Sequence, residues 1–222
     1  MRVAIWPEYD DPGILGIYDG RFVDDGSFPA ETVFFLPKGA VISDACSLSA
    51  KGQHFCQLFR QEDKGAVSEV RLKLPFPNFY LSFHYKPFDG KNPERDFSYD
   101  LKTNHQIRKL EVDIQEPLRA ANFAVLPTGA ESEEIAGFKH YRYTFSEPKK
   151  GEVIPFKVSY KKEDNRASVN IKYSPMNDPT ILVSPHEERG RFVNLLYVIA
   201  GAGLLTLAGI FFFLLKKKSN KE

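Results

Sequence analysis

The side chains able to do chemistry are few: two cysteines, five histidines and a crowd of carboxylates near the N-terminus. Cys46 and Cys56 lie symmetrically about Lys51, which sits in the turn-forming stretch Ala50-Lys-Gly-Gln53. A turn centred there sets the two residues opposite each other on neighbouring strands. Their Cβ atoms would then be about 4.5–5.5 Å apart, near the reach of a disulfide. Such a bridge closes a short loop and contributes about 2–3 kcal/mol, whereas a reducing cytosol would keep the same pair as two thiols. There is no further cysteine, and His54, His84, His105, His140 and His186 are scattered, so the spacing is not that of a zinc site.

Asp10, Asp11, Asp24 and Asp25 offer hard oxygen donors, and sandwich loops with several carboxylates can hold calcium. No EF-hand spacing accompanies them, and Asp is also an ordinary turn former. Gly-x-Ser-x-Gly, His-Glu-x-x-His, the Walker phosphate loop and Gly-x-Gly-x-x-Gly are all missing, so the common hydrolase, zinc-protease and nucleotide signatures fail. The expectation is a protein that is not an enzyme and carries no cofactor. Two aromatic runs, Phe79-Tyr-Leu-Ser-Phe-His-Tyr85 and His140-Tyr-Arg-Tyr-Thr-Phe145, could stack on sugars. Alternation puts half of those rings in a core and leaves the mixed outward set Tyr80, His84, His140 and Arg142.

The elements that position these residues read as strands. Val70, Leu72 and Leu74 alternate with Arg71 and Lys73, and Phe79, Leu81, Phe83 and Tyr85 alternate with Tyr80, Ser82 and His84. Phe97, Tyr99 and Leu101 continue the pattern, as do Tyr141, Tyr143 and Phe145, then Ile154, Phe156, Val158 and Tyr160. Period two marks half-buried strands, and Pro75, Pro77, Pro87 and Pro93 fall between the runs. Asp19-Gly20 reads as a tight hairpin turn between residues 14–18 and 21–23. Residues 131–134 read as a loop or a short helical turn between Gly129 and Gly137. Short strands separated by turn residues, with no helix-strand alternation, predict an all-β chain of tandem antiparallel β-sandwich domains at 1–104 and 105–174. The alternative is one larger jelly-roll-like sandwich.

Residues 195–215 contain no charged side chain in 21 positions. As a helix that run covers the roughly 30 Å hydrocarbon core of a bilayer. A single C-terminal transmembrane helix is therefore expected within 192–215, preceded by a Pro-containing stalk at 175–191 and followed by a basic tail at 216–222. Lys216, Lys217 and Lys218 place the tail in the cytoplasm and the body outside. The N-terminal residues contain no apolar signal-peptide core, which leaves a tail-anchored protein with a cytosolic body as the alternative. Ala202, Thr206 and Gly209 recur at three- to four-residue spacing and suit close helix packing, hence a homo-oligomer or another membrane helix. With 30 basic and 29 acidic residues the net charge is +1, and no basic cluster lies outside the membrane flank, so nucleic acid is not an expected partner.

The segments Ile5-Trp-Pro-Glu-Tyr-Asp-Asp-Pro12, Ile17-Tyr-Asp-Gly20, Leu74-Pro-Phe-Pro-Asn-Phe79 and Glu116-Pro-Leu-Arg-Ala-Ala-Asn-Phe123 resemble a loosely defined set of prokaryotic membrane-anchored β-sandwich proteins. The resemblance implies architecture and no activity. Together these readings predict a single-pass, membrane-anchored, extracytoplasmic protein. Its role would be a non-catalytic binding or accessory subunit of an envelope complex, with lipid and a protein as partners. A carbohydrate- or calcium-binding surface module is the alternative.

Overall fold

The computed structural model describes residues 1–23, 27–89 and 92–169. Asp24, Asp25, the stalk, the expected membrane helix with Ala202, Thr206 and Gly209, and Lys216 to Lys218 lie outside the described residues. Among the described residues there are strands and no helix, so none is long and apolar enough to cross a membrane. In chain order the strands are β1 (Arg2–Pro7), β2 (Ile14–Arg21), β3 (Ala30–Pro37), β4 (Val41–Leu48), β5 (His54–Cys56), β6 (Phe59–Lys64) and β7 (Val67–Leu74). They continue with β8 (Asn78–Tyr85), β9 (Glu94–Lys102), β10 (Lys109–Gln115), β11 (Ala121–Leu126), β12 (Glu131–Ile135), β13 (Phe138–Ser146) and β14 (Val153–Lys161).

Eight of these strands form one sheet in the order β12-β13-β10-β1-β2-β8-β4-β5. Two three-stranded sheets, β11-β14-β9 and β3-β7-β6, pack on it through rings: Tyr143 on Phe156, Phe34 on Phe79, and Tyr18 on Tyr99. The result is a sandwich whose interior is the period-two set. Val70, Leu72 and Leu74, then Phe97, Tyr99 and Leu101, then Ile154, Phe156, Val158 and Tyr160 are all buried. Each such side chain contributes roughly 1.5–3 kcal/mol by leaving water.

The expected division at residue 104 falls inside a single compact unit. β10 and β13 share the large sheet with β1, β2 and β8, and β9 pairs with β14 along all nine of its residues. The reason is geometric. Buried residues from both sides of residue 104, such as Val3, Phe34 and Leu81 with Leu110, Val112 and Phe156, belong to one shared core. The sheets are also not purely antiparallel, because β1 runs parallel to β10.

Three local readings change. Asp19-Gly20 is not a turn: β2 runs straight through it, paired with β1 on one side and β8 on the other. Its glycines serve close packing instead. A Cβ on Gly16 would stand 2.3 Å from the Phe83 ring, and one on Gly20 2.9 Å from the Phe79 ring. Residues 131–134 belong to edge strand β12, whose three glutamates blunt an open edge. Residues 54–60, strand-sized as one run in the sequence, split into β5 in the large sheet and the start of β6 in a small one, with Leu58 exposed at the crossing.

Cys46 and Cys56 do face each other in register on β4 and β5, at disulfide distance. Cys46→Ser is expected to lower stability by about 2–3 kcal/mol. A urea titration in which reductant costs the wild type as much as the substitution does would check it. Deeper in the core, the Tyr18 and Tyr99 hydroxyls lie 2.6 Å apart, while the buried Tyr85 hydroxyl finds no partner among the described residues. A buried orphan hydroxyl costs about 1–3 kcal/mol. Tyr85→Phe should therefore raise the melting temperature and Tyr99→Phe should lower it; a lower melting temperature for Tyr85→Phe would show that its hydroxyl is satisfied.

Candidate functional site

Where β3 and β9 diverge, beneath the loop of residues 103–108, the sandwich opens into a cavity of about 320 Å³. Its apolar wall follows from strand parity and ring packing. Phe34 points inward from β3 and meets Phe79 of β8 at 4.9 Å between centroids. Phe22, just past the end of β2, packs its ring at a tilt against Phe79 and Phe28 and edge-on against His105. Ile107, buried in the loop, completes the wall, and Val33, of opposite parity to Phe34, borders it.

The mouth has a different character. Arg21, Lys102, Arg108 and Lys109 line it, and no carboxylate does so among the described lining residues. Lys109 reaches Glu111 at 2.5 Å, and the Lys102 ammonium lies 4.9 Å over the Phe35 ring. His105 Nε2 meets the Thr32 hydroxyl at 3.0 Å. Burial, then the charge of Lys150, pushes the His105 imidazole below its ordinary range, so it is neutral at pH 7. The arrangement is an apolar chamber under a cationic, hydrogen-bonding entrance.

A second group of polar side chains lies on the outer face of the large sheet. Trp6 Nε1 donates to Asp113 Oδ2 at 3.0 Å, and His140 Nδ1 donates to the same carboxylate at 2.9 Å. The three residues come from β1, β13 and β10, so the contacts clip three adjacent strands together. A buried His–Asp pair is also how a general base is oriented, yet among the described residues no hydroxyl or thiol is bonded to His140. Nothing there is poised as a nucleophile.

Of the calcium candidates, Asp10 and Asp11 come together with His84, their donor atoms all within 4.8 Å of one another. A nitrogen in the set suits a transition metal better than calcium. The donors are already engaged: His84 Nε2 donates to Asp10 at 2.9 Å, His84 Nδ1 accepts from Ser43, and Asp11 accepts from the Gly13 N–H at 2.6 Å. Lys86 stands 3.8 Å from Asp11. These contacts fasten the β1–β2 loop to the sheet. Of the outward set proposed for sugar, Tyr80 and His84 lie on β8 and His140 and Arg142 on β13, with β10, β1 and β2 between. No single stacking platform forms.

At the opposite end of the sandwich from the cavity, Glu8 is 1% exposed and shared by two buried cations. Its Oε1 accepts from Arg95 Nε at 3.1 Å and from the Tyr160 hydroxyl at 2.9 Å, and its Oε2 from Lys162 Nζ at 2.5 Å. Lys162 also donates to the carbonyls of Asp164 and Arg166, and the Ser168 N–H donates to the Glu8 carbonyl. The last described residues are thereby fastened at the end away from the cavity mouth. Sequence reasoning missed both this network and the cavity. Parity carried a signal for the first: Arg95 continues the inward series of Phe97, Tyr99 and Leu101, and Lys162 that of Val158 and Tyr160. A charge at an apolar parity position asks for a buried partner.

No family model matches the chain, and no curated protein matches it. Among solved structures it is similar to one from Parabacteroides distasonis ATCC 8503 named "putative protease", at 14% identity and a TM-score of 0.42. The likeness covers 73% of this chain and 39% of that one, so the chain spans about two fifths of its neighbour's length.

Proposed function

We propose that the protein is a single-pass, membrane-anchored binding protein whose all-β body holds a small ligand in the cavity beneath residues 103–108. The carrying observation is the cavity itself. It is apolar within, lined by hydrogen-bonding groups at its mouth, and of a size that suits a small organic molecule. The uncharged run at 195–215 with Lys216 to Lys218 supports the anchor and a cytoplasmic tail. The Cys46–Cys56 pair at disulfide distance supports an oxidising compartment for the body.

Native mass spectrometry of the full chain released from lipid nanodiscs tests the reading. A small-molecule adduct that disappears in Ile107→Trp, which enlarges a buried side chain of the wall, is the expected result. Absence of any adduct, together with an unchanged melting temperature across an amphiphile library, would overturn it. Protease treatment of intact cells tests the placement separately: digestion of residues 1–190 is expected, and full protection would put the body in the cytosol.

A further inference from the structure

We infer that the cavity takes a small amphipathic anion, an aliphatic or aromatic body ending in a singly charged oxyanion. This rests on the reading of the cavity as a binding site and goes further by assigning its ligand class.

Two observations combine. The chamber wall of Phe22, Phe34, Phe79 and Ile107 offers carbon and ring edges, so it rewards an apolar body and gives a buried charge nothing to pair with. The mouth is a set of cations. Lys109 is taken by Glu111, whereas the Lys102 ammonium lies over the Phe35 ring. Arg108 is exposed at the mouth and makes no ion pair among the described residues, and Lys150 adds a further positive charge close to His105. A cationic head would meet like charge at this entrance. A neutral head would leave the guanidinium fork unused, whereas a carboxylate matches it with two parallel hydrogen bonds.

The ligand would therefore enter body first, its head held at the mouth by Arg108 and Lys102. Specificity for head charge comes from these two residues and specificity for body size from the chamber. The two contributions can be separated, because the cations are on the rim and the rings are in the wall.

Isothermal titration calorimetry of the full chain in nanodiscs with octanoate, octanol and octylamine tests the assignment. Octanoate should bind about tenfold or more tighter than the other two, the factor expected for one charge-assisted hydrogen-bond pair. Arg108→Gln with Lys102→Gln should bring octanoate down to the level of octanol and leave octanol unchanged. Ile107→Trp should abolish binding of all three. Equal affinity for octanoate and octanol would overturn the ligand class while leaving the binding reading intact. Binding that survives Ile107→Trp would overturn the site. Failure of all three probes, with no adduct in native mass spectrometry, would remove both.

Discussion

Glu8→Ala should destabilise the protein by about 3–5 kcal/mol, the cost of removing one partner from a buried ion pair. Glu8 is shared by Arg95 and Lys162, whose side chains are 1% and 0% exposed. Without the carboxylate two buried cations lose their shared partner, Lys162 keeping the Asp164 carboxylate at 3.1 Å, and the Tyr160 hydroxyl loses its acceptor. Against a total stability of about 5–15 kcal/mol this is a large fraction. Glu8→Gln keeps an acceptor but not the charge, so it should fall between wild type and alanine. The effect is read as a lower urea midpoint at unchanged slope. Hydrogen exchange should report the same loss at residues 162–169, where Ser168 and Val169 bond to the carbonyls of Glu8 and Tyr9. A cost below about 1 kcal/mol would show that water or a relaxed side chain replaces the carboxylate.

Alkaline pH should unfold the protein cooperatively. Burial raises the phenol pKa values of Tyr18, Tyr85, Tyr99 and Tyr160 above their ordinary range, with Glu8 adding to the effect on Tyr160. The unfolded chain releases these protons near pH 10 while the native state keeps them, so above pH 10 the native state binds more protons and stability falls as pH rises. Below that pH the four phenols are neutral in both states and contribute no slope. Each contributes up to about 1.4 kcal/mol per pH unit, roughly 5 kcal/mol per unit for the four together. Tyrosinate absorbance and far-ultraviolet circular dichroism should then change together in one steep step above pH 10. A shallow tyrosinate titration near pH 10 with the dichroism intact would show that the four phenols reach solvent in the folded state.

Legibility in the sequence followed what strand parity can and cannot say. Residues 97, 99 and 101, or 154 to 160, announce an inward face by alternation alone, and so the all-β sandwich was readable. Partner choice was not. Only the three-dimensional register tells that β1 lies beside β10 or that β5 and β6 belong to different sheets. Asp19-Gly20 has the composition of a turn, yet tertiary packing of Gly16 and Gly20 under the Phe83 and Phe79 rings decides for a straight strand. The Cys46–Cys56 register was readable because the turn between them is local. The cavity was not, since Phe22, Phe34, Phe79 and Ile107 are far apart in the chain and none has a chemical signature. The cations at its mouth look in sequence like ordinary solvated charges.

Photo-crosslinking of a diazirine-bearing octanoate to the full chain in nanodiscs, with mapping of the labelled peptides, tests the binding reading most directly. Labels on residues 22–23, 33–35 and 102–109, competed by octanoate and lost in Ile107→Trp, are the expected result. Labels confined to the uncharged run at 195–215, or spread over the outer face of the large sheet, would contradict it.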